Sequence, residues 1–531
     1  MSDSNNPIIF NKVTKDVLVE IEGIVMDQEA WELLRLFYDS ECIHFTNAIS
    51  NIDSIQYKSF PGNFEESSSR DYLFIKVFEN DEFWSCQVCL YTDISLLLTS
   101  KSKPDFFSEK TVYYSDLEKP GGKLFQRRKI IVGSCIVKVM TKYTGKKLPY
   151  GSLLGVRPVK LAMQCVNDKM DKDETVNHLI KLSDIDSKKA ELLYNIAVTE
   201  KPFLQDDKKA IHLYVGIPFC ASRCLYCSFT AYPIHRYKKL VPSYILALSK
   251  EIQHTAKWIN QNDYHISSIY IGGGTPTSVD SSDLDRILGE LTANFNLKNC
   301  EFTVEAGRPD TITKDKLEIM AKYKVNRISI NPQTMNEETL RIIGRNHTPE
   351  DIIDKYYLAR DLGFDNINMD IIAGLPNEDI DMFINTLEKI EEMQPDSLTV
   401  HTMALKRASR LREEKSRYLS TPDMIVEAMI EEARKSAYKM GMRSYYLYRQ
   451  KNILANLENT GYSKPGYECR YNIHTMEEIQ TIVALGAGAI SKFVNSEKNE
   501  INRVFNLKDV DLYISKIDEM LKRKEVYLNH L

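Results

Sequence analysis

From residue 211 onward, short β-branched runs return at regular intervals, and each is followed by a longer stretch with helical apolar spacing. The runs are His212–Gly216 (HLYVG), Ser268–Gly272 (SIYIG), Glu301–Glu305 (EFTVE), Arg327–Asn331 (RISIN), Asn366–Ile372 (NINMDII) and Ser397–Thr402 (SLTVHT). Strand then helix, six times, predicts a parallel sheet. Helix starts are marked by Thr313 with Asp315, and by Ser281 and Ser282 ahead of LDRILGELTANF. Six units are too few to close an eight-stranded barrel, so residues 211–410 are expected to form an open, partial (β/α)6 TIM-like barrel.

Upstream the pattern is mixed. Ser85–Tyr91 and Ile130–Met140 read as strands, and Glu29–Phe37 and Lys188–Val198 as helices. This predicts an N-terminal α+β domain over 1–167 and a helical connector over 168–210. Residues 411–531 read as a mostly helical C-terminal region that ends in a Gly/Tyr/Asn-rich run. The whole is α/β, and 531 residues accommodate that many domains.

Apolar residues make up 43% and charged residues 27%, and 69 Lys+Arg against 74 Asp+Glu leave a formal charge of −5. This composition is globular and argues against disorder and against a generic nucleic-acid binder. No run approaches the roughly 18 apolar residues of a membrane span, and MSDSNNPIIF lacks the basic and apolar regions of a secretory signal. A cytoplasmic protein with reduced thiols is therefore expected. The charge is unevenly spread: between Glu118 and Asp168 there is no acidic residue but eleven Lys and Arg, among them Arg157 and Lys160. Such a block is either a solvated face or a site for an anionic substrate or nucleic acid. Cys86 and Cys89, three apart on an expected strand, point to opposite faces and read as core thiols.

In parallel α/β architectures the chemistry gathers at the carboxyl ends of the strands. That rule selects the loop after the first strand, Gly272–Thr277 after the second, and Glu305, Gln333 and Asp370 at the third, fourth and fifth. The first loop carries Cys220, Cys224 and Cys227 as C-x3-C-x2-C. Three thiolates from one loop can hold three corners of an iron–sulfur cubane and leave one iron open. A closed zinc site would need a fourth ligand, and the nearest histidine, His235, stands without a partner at finger spacing.

At this point the chain resembles the radical S-adenosylmethionine superfamily, and within it the oxygen-independent coproporphyrinogen III oxidase (coproporphyrinogen dehydrogenase) group. The resemblance spans roughly 211–490. It rests on YVGIPFCASRCLYC (214–227), GGGTPT (272–277), TVE (303–305), ISINPQ (328–333), IGRNH (343–347) and NMDIIAGLP (368–376), in that order. The N-terminal extension and the tail with LENTGYSKPG and ALGAGAISKF are similar to the extended branch of Gram-positive anaerobes. The chain departs from the pattern at Gly216, where a histidine is usual, and at Ser228-Phe229, where another cysteine often follows the triad.

The resemblance implies that Cys220, Cys224 and Cys227 hold a [4Fe-4S] cluster whose fourth iron is chelated by S-adenosylmethionine. It places Phe219 and Tyr226 around the cluster and Tyr214, Gly273, Gly274 and Thr275 at the cofactor. Glu305, Gln333, Arg345 and Asp370 hold its ribose and carboxylate, with Glu305, Arg345 and Asp370 also the catalytic candidates. The implied reaction is reductive cleavage to a 5′-deoxyadenosyl radical, hydrogen abstraction from a propionate and loss of carbon dioxide to leave a vinyl group. Done twice, this turns coproporphyrinogen III into protoporphyrinogen IX in haem biosynthesis, with electrons from a flavodoxin- or ferredoxin-type donor. The tetracarboxylate substrate would give Arg157 and Lys160 a purpose, and the C-terminal region is the substrate side. Alternatives within the group are a haem-binding chaperone, a radical methyltransferase or a haem-degrading enzyme, and outside it a basic RNA-binding metalloprotein. The chaperone's C-terminal His-Asn then Tyr-Trp signature is not reproduced by RYNIHTM (470–476).

Overall fold

A computed structural model describes residues 12–46, 70–93, 103–205, 207–229, 231–406, 409–413, 418, 421–495 and 500–528. The opening MSDSNNPIIF lies outside the described residues. The chain folds as two units, Met1–Val198 and Thr199–Leu531.

The first unit holds strands β1 (Val17–Glu22), β2 (Ile43–Thr46), β3 (Asp71–Glu79), β4 (Phe83–Tyr91) and β5 (Phe106–Tyr113) in the order β2-β1-β3-β4-β5. Ile130–Met140, expected as a strand, lies instead inside helix Arg128–Thr144. The error has a physical reason. The helix buries Ile131–Val137, Val139 and Met140, so its apolar run shows no polar stripe, and Gly145 ends it at φ 74°. On β4, Cys86 is buried with its Sγ 3.4 Å from that of Cys135, while Cys89 is half-buried on the other face. The basic block is extensively paired with acids of its own unit: Lys119 with Asp116, Arg128 with Glu79, Lys129 with Glu29 and Lys138 with Asp184.

In the second unit all six expected strands form, as β6 (Ala210–Ile217), β9 (His265–Gly273), β10 (Glu301–Gly307), β11 (Arg327–Ile330), β12 (Ile367–Ala373) and β13 (Ser397–Thr402). Two short strands, β7 (Phe219–Cys220) and β8 (Tyr232–Pro233), pair within the cysteine loop. The C-terminal region supplies helices, Asp423–Lys439 and Ile517–Leu528 among them. It also supplies β14 (Arg443–Tyr448), β15 (Asn459–Ser463), β16 (Thr481–Leu485), β17 (Ile490–Asn495) and β18 (Glu500–Phe505).

The result is an open sheet of eleven strands, β14-β15-β13-β12-β11-β10-β9-β6-β16-β17-β18. The six expected strands run parallel, and β16 adds a seventh beside β6. Antiparallel strands finish both ends. Parallel strands covered on both faces read as apolar runs, which is why they were visible in the sequence. Helices Val241–Gln261, Ser281–Asn294, Lys314–Lys322, Pro349–Asp361 and Ile380–Met393 connect them. Thr313 caps Lys314–Lys322 from its side chain, and Thr348 with Asp351 forms a capping box. Among the described residues no helix is long and apolar enough to cross a membrane.

Candidate functional site

A cavity of about 660 Å³ opens among the parallel strands of the second unit. Cys220, Cys224 and Cys227 line it, together with Tyr214, Tyr226, Gly273, Gly274, Thr275, Glu305, Gln333, Arg345 and Asp370. Residues scattered over 157 positions of sequence thus meet in one space: Tyr214, Glu305 and Asp370 lie on parallel strands, the cysteines, Thr275 and Gln333 lie in loops just past strand ends, and Arg345 follows the short helix Glu337–Ile342. Phe219 does not join them. Its ring is buried edge-on to Tyr244, 5.4 Å between centroids, and its carbonyl accepts from Thr275 N at 2.7 Å. Arg157 and Lys160 belong to the first unit, just before and within helix Val159–Asn167.

The cysteine loop is fastened from several sides. Leu225 N donates to Ile343 O at 3.0 Å, Leu411 N to Leu225 O at 3.0 Å, and Ser222 Oγ to Gly344 O at 2.9 Å. Leu225 also packs with Leu340, Ile343, Leu375 and Leu411. Arg308, missed in the sequence, donates from Nη1 to Ser222 Oγ at 2.8 Å and reaches Cys224 Sγ at 3.8 Å. Burial pushes the Cys220 thiol up to about 12 and raises Cys227 as well, so ligation of a metal there releases protons.

Opposite the thiols, Gly273 takes φ 107°, a conformation that favours glycine. At Gly274 an added Cβ would stand 2.9 Å from Cys220 Sγ, so only a bare backbone fits against the loop. Thr275 Oγ1 donates to Cys220 Sγ at 3.5 Å. Gln333 adopts φ 67°, its N–H donating to Asp370 O at 2.9 Å and its carbonyl accepting from Ile372 N at 3.0 Å. Its Oε1 accepts from Tyr226 Oη at 3.1 Å, and Tyr226 Oη accepts from Arg345 Nη2 at 3.3 Å. Arg345 Nη1 donates to Asn331 O at 2.7 Å, while its buried Nε has no partner.

The two carboxylates differ in environment. Burial raises Glu305 to about 7, although Tyr270 Oη donates to it at 2.5 Å. Burial also opposes ionisation of Asp370, but hydrogen bonding and charge from His401 and donors at Asn368 and Thr399 outweigh it and hold the carboxyl below its ordinary value. Tyr270 and Tyr471 stack at 4.7 Å between centroids, Tyr214 lies 6.5 Å from Tyr270, and all three face the cavity. Tyr446, Tyr448 and His401 extend this wall, with Tyr448 Oη 3.2 Å from His401 Nδ1.

Residues 214–390 match the family model of the radical SAM superfamily. The chain is 39% identical over 445 residues to the oxygen-independent coproporphyrinogen-III oxidase-like protein HemZ of Bacillus subtilis, covering 83% of this chain and 89% of that protein. It belongs to the radical SAM family of oxygen-independent coproporphyrinogen III oxidase-like proteins. The haem chaperone HemW of Bacillus subtilis is 30% identical over 52% of this chain and 69% of its own length. A solved structure of coproporphyrinogen III oxidase from Escherichia coli aligns with a TM-score of 0.48 and 23% identity, over 62% of this chain and 77% of that one.

The family's cofactors are a [4Fe-4S] cluster and S-adenosylmethionine. The residues present fit them on the structure's own terms. Three thiols share one anchored loop, a side-chain-free backbone faces Cys220, and Arg345 keeps a buried, unpartnered N–H in the same space.

Proposed function

We propose that this chain oxidatively decarboxylates two propionates of coproporphyrinogen III, without oxygen, to give protoporphyrinogen IX. The observation that carries the reading is the single cavity in which three thiols, the cation Arg345, the carboxyls Glu305 and Asp370 and a tyrosine wall converge. The similarity to the oxidase-like relative extends over 83% of this chain, against 52% for the chaperone, and so includes regions that the chaperone match does not reach.

In this reading Cys220, Cys224 and Cys227 would hold the cluster, and cluster and S-adenosylmethionine, when bound, would supply the radical chemistry that hydrogen abstraction from the substrate needs. Arg345 receives a carboxylate through its free edge, since a guanidinium fork binds two oxygens. Gly273 and Gly274 let the cofactor approach the backbone, and Tyr226 fixes the orientation of Gln333 and Arg345. Glu305, carried by Tyr270, and Asp370, carried by Asn368 and His401, take ribose hydroxyls. The tyrosines exclude water and offer flat faces to a tetrapyrrole. Each turnover removes one hydrogen atom, one carbon dioxide and one further electron, which an acceptor takes. The reducing electron comes from a low-potential flavodoxin- or ferredoxin-type protein.

An anaerobic assay of reconstituted protein with reductant, S-adenosylmethionine and coproporphyrinogen III tests this, by 5′-deoxyadenosine and porphyrin mass. Loss of two carbon dioxide units is the expected result. Deoxyadenosine without a changed porphyrin would move the radical chemistry to another substrate. Neither product from cluster-loaded protein would favour haem binding, the second reading that the chaperone similarity supports.

A further inference from the structure

The three thiols differ in how close they stand to solvent. Cys220 and Cys224 are buried, whereas Cys227 is half-buried and lines the cavity. Phe229, two positions further on, lines the same cavity with 62% of its surface exposed. One exposed ring means little alone; here cations surround it. Lys406 Nζ lies 5.9 Å from the centre of that ring, Lys406 and Arg223 line the cavity with it, and the charges of both act on Cys227. Arg410 and Arg412 are exposed on either side of Leu411, whose N–H donates to Leu225 O, inside the cysteine loop, at 3.0 Å.

The sequence shows the same bias. Between Asp207 and Glu251 there is no acidic residue but seven Lys and Arg, and between Asp396 and Glu413 none but four. These two acid-free stretches meet at the thiol loop through the packing of Leu225 on Leu411. The chain as a whole carries a formal charge of −5, so the patch is a positive face on a negative protein. The basic block of the first unit differs, because Lys119, Arg128, Lys129 and Lys138 are each paired with an acid. Among the described residues Lys406 meets no carboxylate, and the charged neighbour it feels is Cys227.

Electron tunnelling weakens steeply with distance, so a protein that reduces a centre held by these thiols has to dock where a thiol comes nearest to solvent. Transient electron-transfer complexes are small and steered by charge, with aromatic and Arg side chains favoured at their contacts. A negative surface elsewhere repels an acidic partner and leaves the attraction local. We propose that Arg223, Phe229, Lys406, Arg410 and Arg412 form the docking face for a small acidic one-electron carrier protein, with Phe229 as its apolar centre and the cations around it. One electron passes from the carrier's reduced centre to the cluster beside Cys227; the carrier is oxidised by one, the cluster is reduced by one, and no bond or proton moves. The need for a carrier rests on the radical reading above; the place where it docks rests on the charges.

The test is an anaerobic calorimetric titration of the reconstituted full chain with oxidised flavodoxin and with oxidised ferredoxin, both acidic, for wild type, R223E/R412E, R223Q/R412Q and F229S. Coproporphyrin III and a uridine-rich single-stranded RNA are titrated in parallel. Wild type is expected to bind a carrier and to lose at least about fivefold in affinity between about 50 and about 200 mM salt. R223E/R412E should lose at least about tenfold and most of the salt dependence, R223Q/R412Q about threefold, and F229S about threefold at either salt. Coproporphyrin affinity and deoxyadenosine formation driven by dithionite, a reductant that needs no docking face, should stay within about twofold of wild type. If wild type binds a carrier and R223E/R412E binds it equally well with the same salt dependence, the face is overturned and the carrier reading stands. If wild type binds neither carrier, both fall. If the charge reversals weaken coproporphyrin III or the RNA and leave the carriers unchanged, the patch serves that ligand and the proposal is overturned. R223Q/R412Q keeps the test open should R223E/R412E not fold.

Discussion

Arg308 Nη1 lies 3.8 Å from Cys224 Sγ while the other edge of the same guanidinium is clamped on Asp310, by Nε at 3.0 Å and Nη2 at 2.8 Å. The aspartate aims the fork, and the fork ties the turn after β10 to the thiol loop through Ser222. Replacing Arg308 with Met removes these charge-assisted bonds and strands a carboxylate. The expected cost is about 1–3 kcal/mol in urea unfolding of the metal-free protein. Adding D310N should return part of it, because the stranded charge is then gone. In reconstituted protein the loss of a cation beside a thiolate should move the cluster's midpoint potential to more negative values. An R308M protein with wild-type unfolding and wild-type potential would remove Arg308 from any role at the loop.

Gly274 and Gly155 make a matched pair of substitutions. A Cβ at Gly274 would stand 2.9 Å from Cys220 Sγ and equally close to Ile217 O, whereas at Gly155 nothing lies within 4 Å. G274A therefore forces the loop apart, with an expected destabilisation of about 1–3 kcal/mol and a fall in iron bound per chain after reconstitution. G155A should stay within about 0.5 kcal/mol of wild type and bind iron normally. Equal iron loading of the two variants would contradict the close approach of backbone and thiol.

Much of this arrangement was legible in the sequence, and the reason is physical. Glu305 and Asp370 sit on strands, and Gln333 just past one, whose neighbours are apolar, and a polar residue there has few reasons to exist except a site. Cys220, Cys224 and Cys227 come from one loop, so their spacing survives without knowledge of the fold. Arg327, which lines the cavity, was missed although the signal was present: in RISIN, Arg327, Ser329 and Asn331 alternate with Ile328 and Ile330, which marks one face of β11 as polar. Tyr270, Tyr471 and His401 stood in segments quoted for their strand pattern or for a missing signature and were not singled out as site residues, and only the packing of β9, β13 and helix Arg470–Glu477 brings them together. Arg308 acts on a loop more than eighty positions away, a distance no local pattern encodes. The strands β14–β18 escaped because they are short and their Gly- and Asn-rich surroundings read as loop.

Glu305 predicts a pH dependence of stability in the ligand-free protein. Burial raises its carboxyl from the ordinary 4.5 to about 7, so the folded state holds a proton that the unfolded chain has already released. The stabilisation this gives is fully present below about pH 4.5 and is lost as pH rises through about 7. At about 1.4 kcal/mol per tenfold change in proton affinity, it is worth on the order of 3 kcal/mol. E305Q, which keeps the neutral shape, should lose less stability than wild type between pH 5 and pH 8 in urea titrations. Parallel curves for the two proteins would mean that Glu305 is ionised throughout.

Glu251 and Lys524 set a last expectation, on how the far end of the chain supports the cavity. Lys524, from the final described helix, pairs with Glu251, and the two side chains are 2% and 0% exposed. Glu251 also accepts from Asn506 Nδ2 at 2.9 Å, Tyr513 Oη at 2.6 Å and the backbone N of Gly486 at 2.7 Å. Gly486, at φ 97°, begins the turn whose Gly488, Ala489 and Ile490 line the cavity. Lys524 therefore neutralises the acid that holds this turn. Removing it leaves a buried, uncompensated carboxylate, so K524M should cost about 3–5 kcal/mol in unfolding free energy. The double variant K524M/E251Q should recover a large share of that stability, because the leftover charge is removed while an amide oxygen still accepts from Gly486. Iron bound per chain should follow wild type in the double variant, since the cysteine loop is anchored elsewhere, at Ile343, Gly344 and Leu411. Porphyrin affinity should fall in K524M and return in the double variant. A K524M protein as stable as wild type would show that Glu251 is neutral when buried, and the ion pair would then have no part in holding the turn.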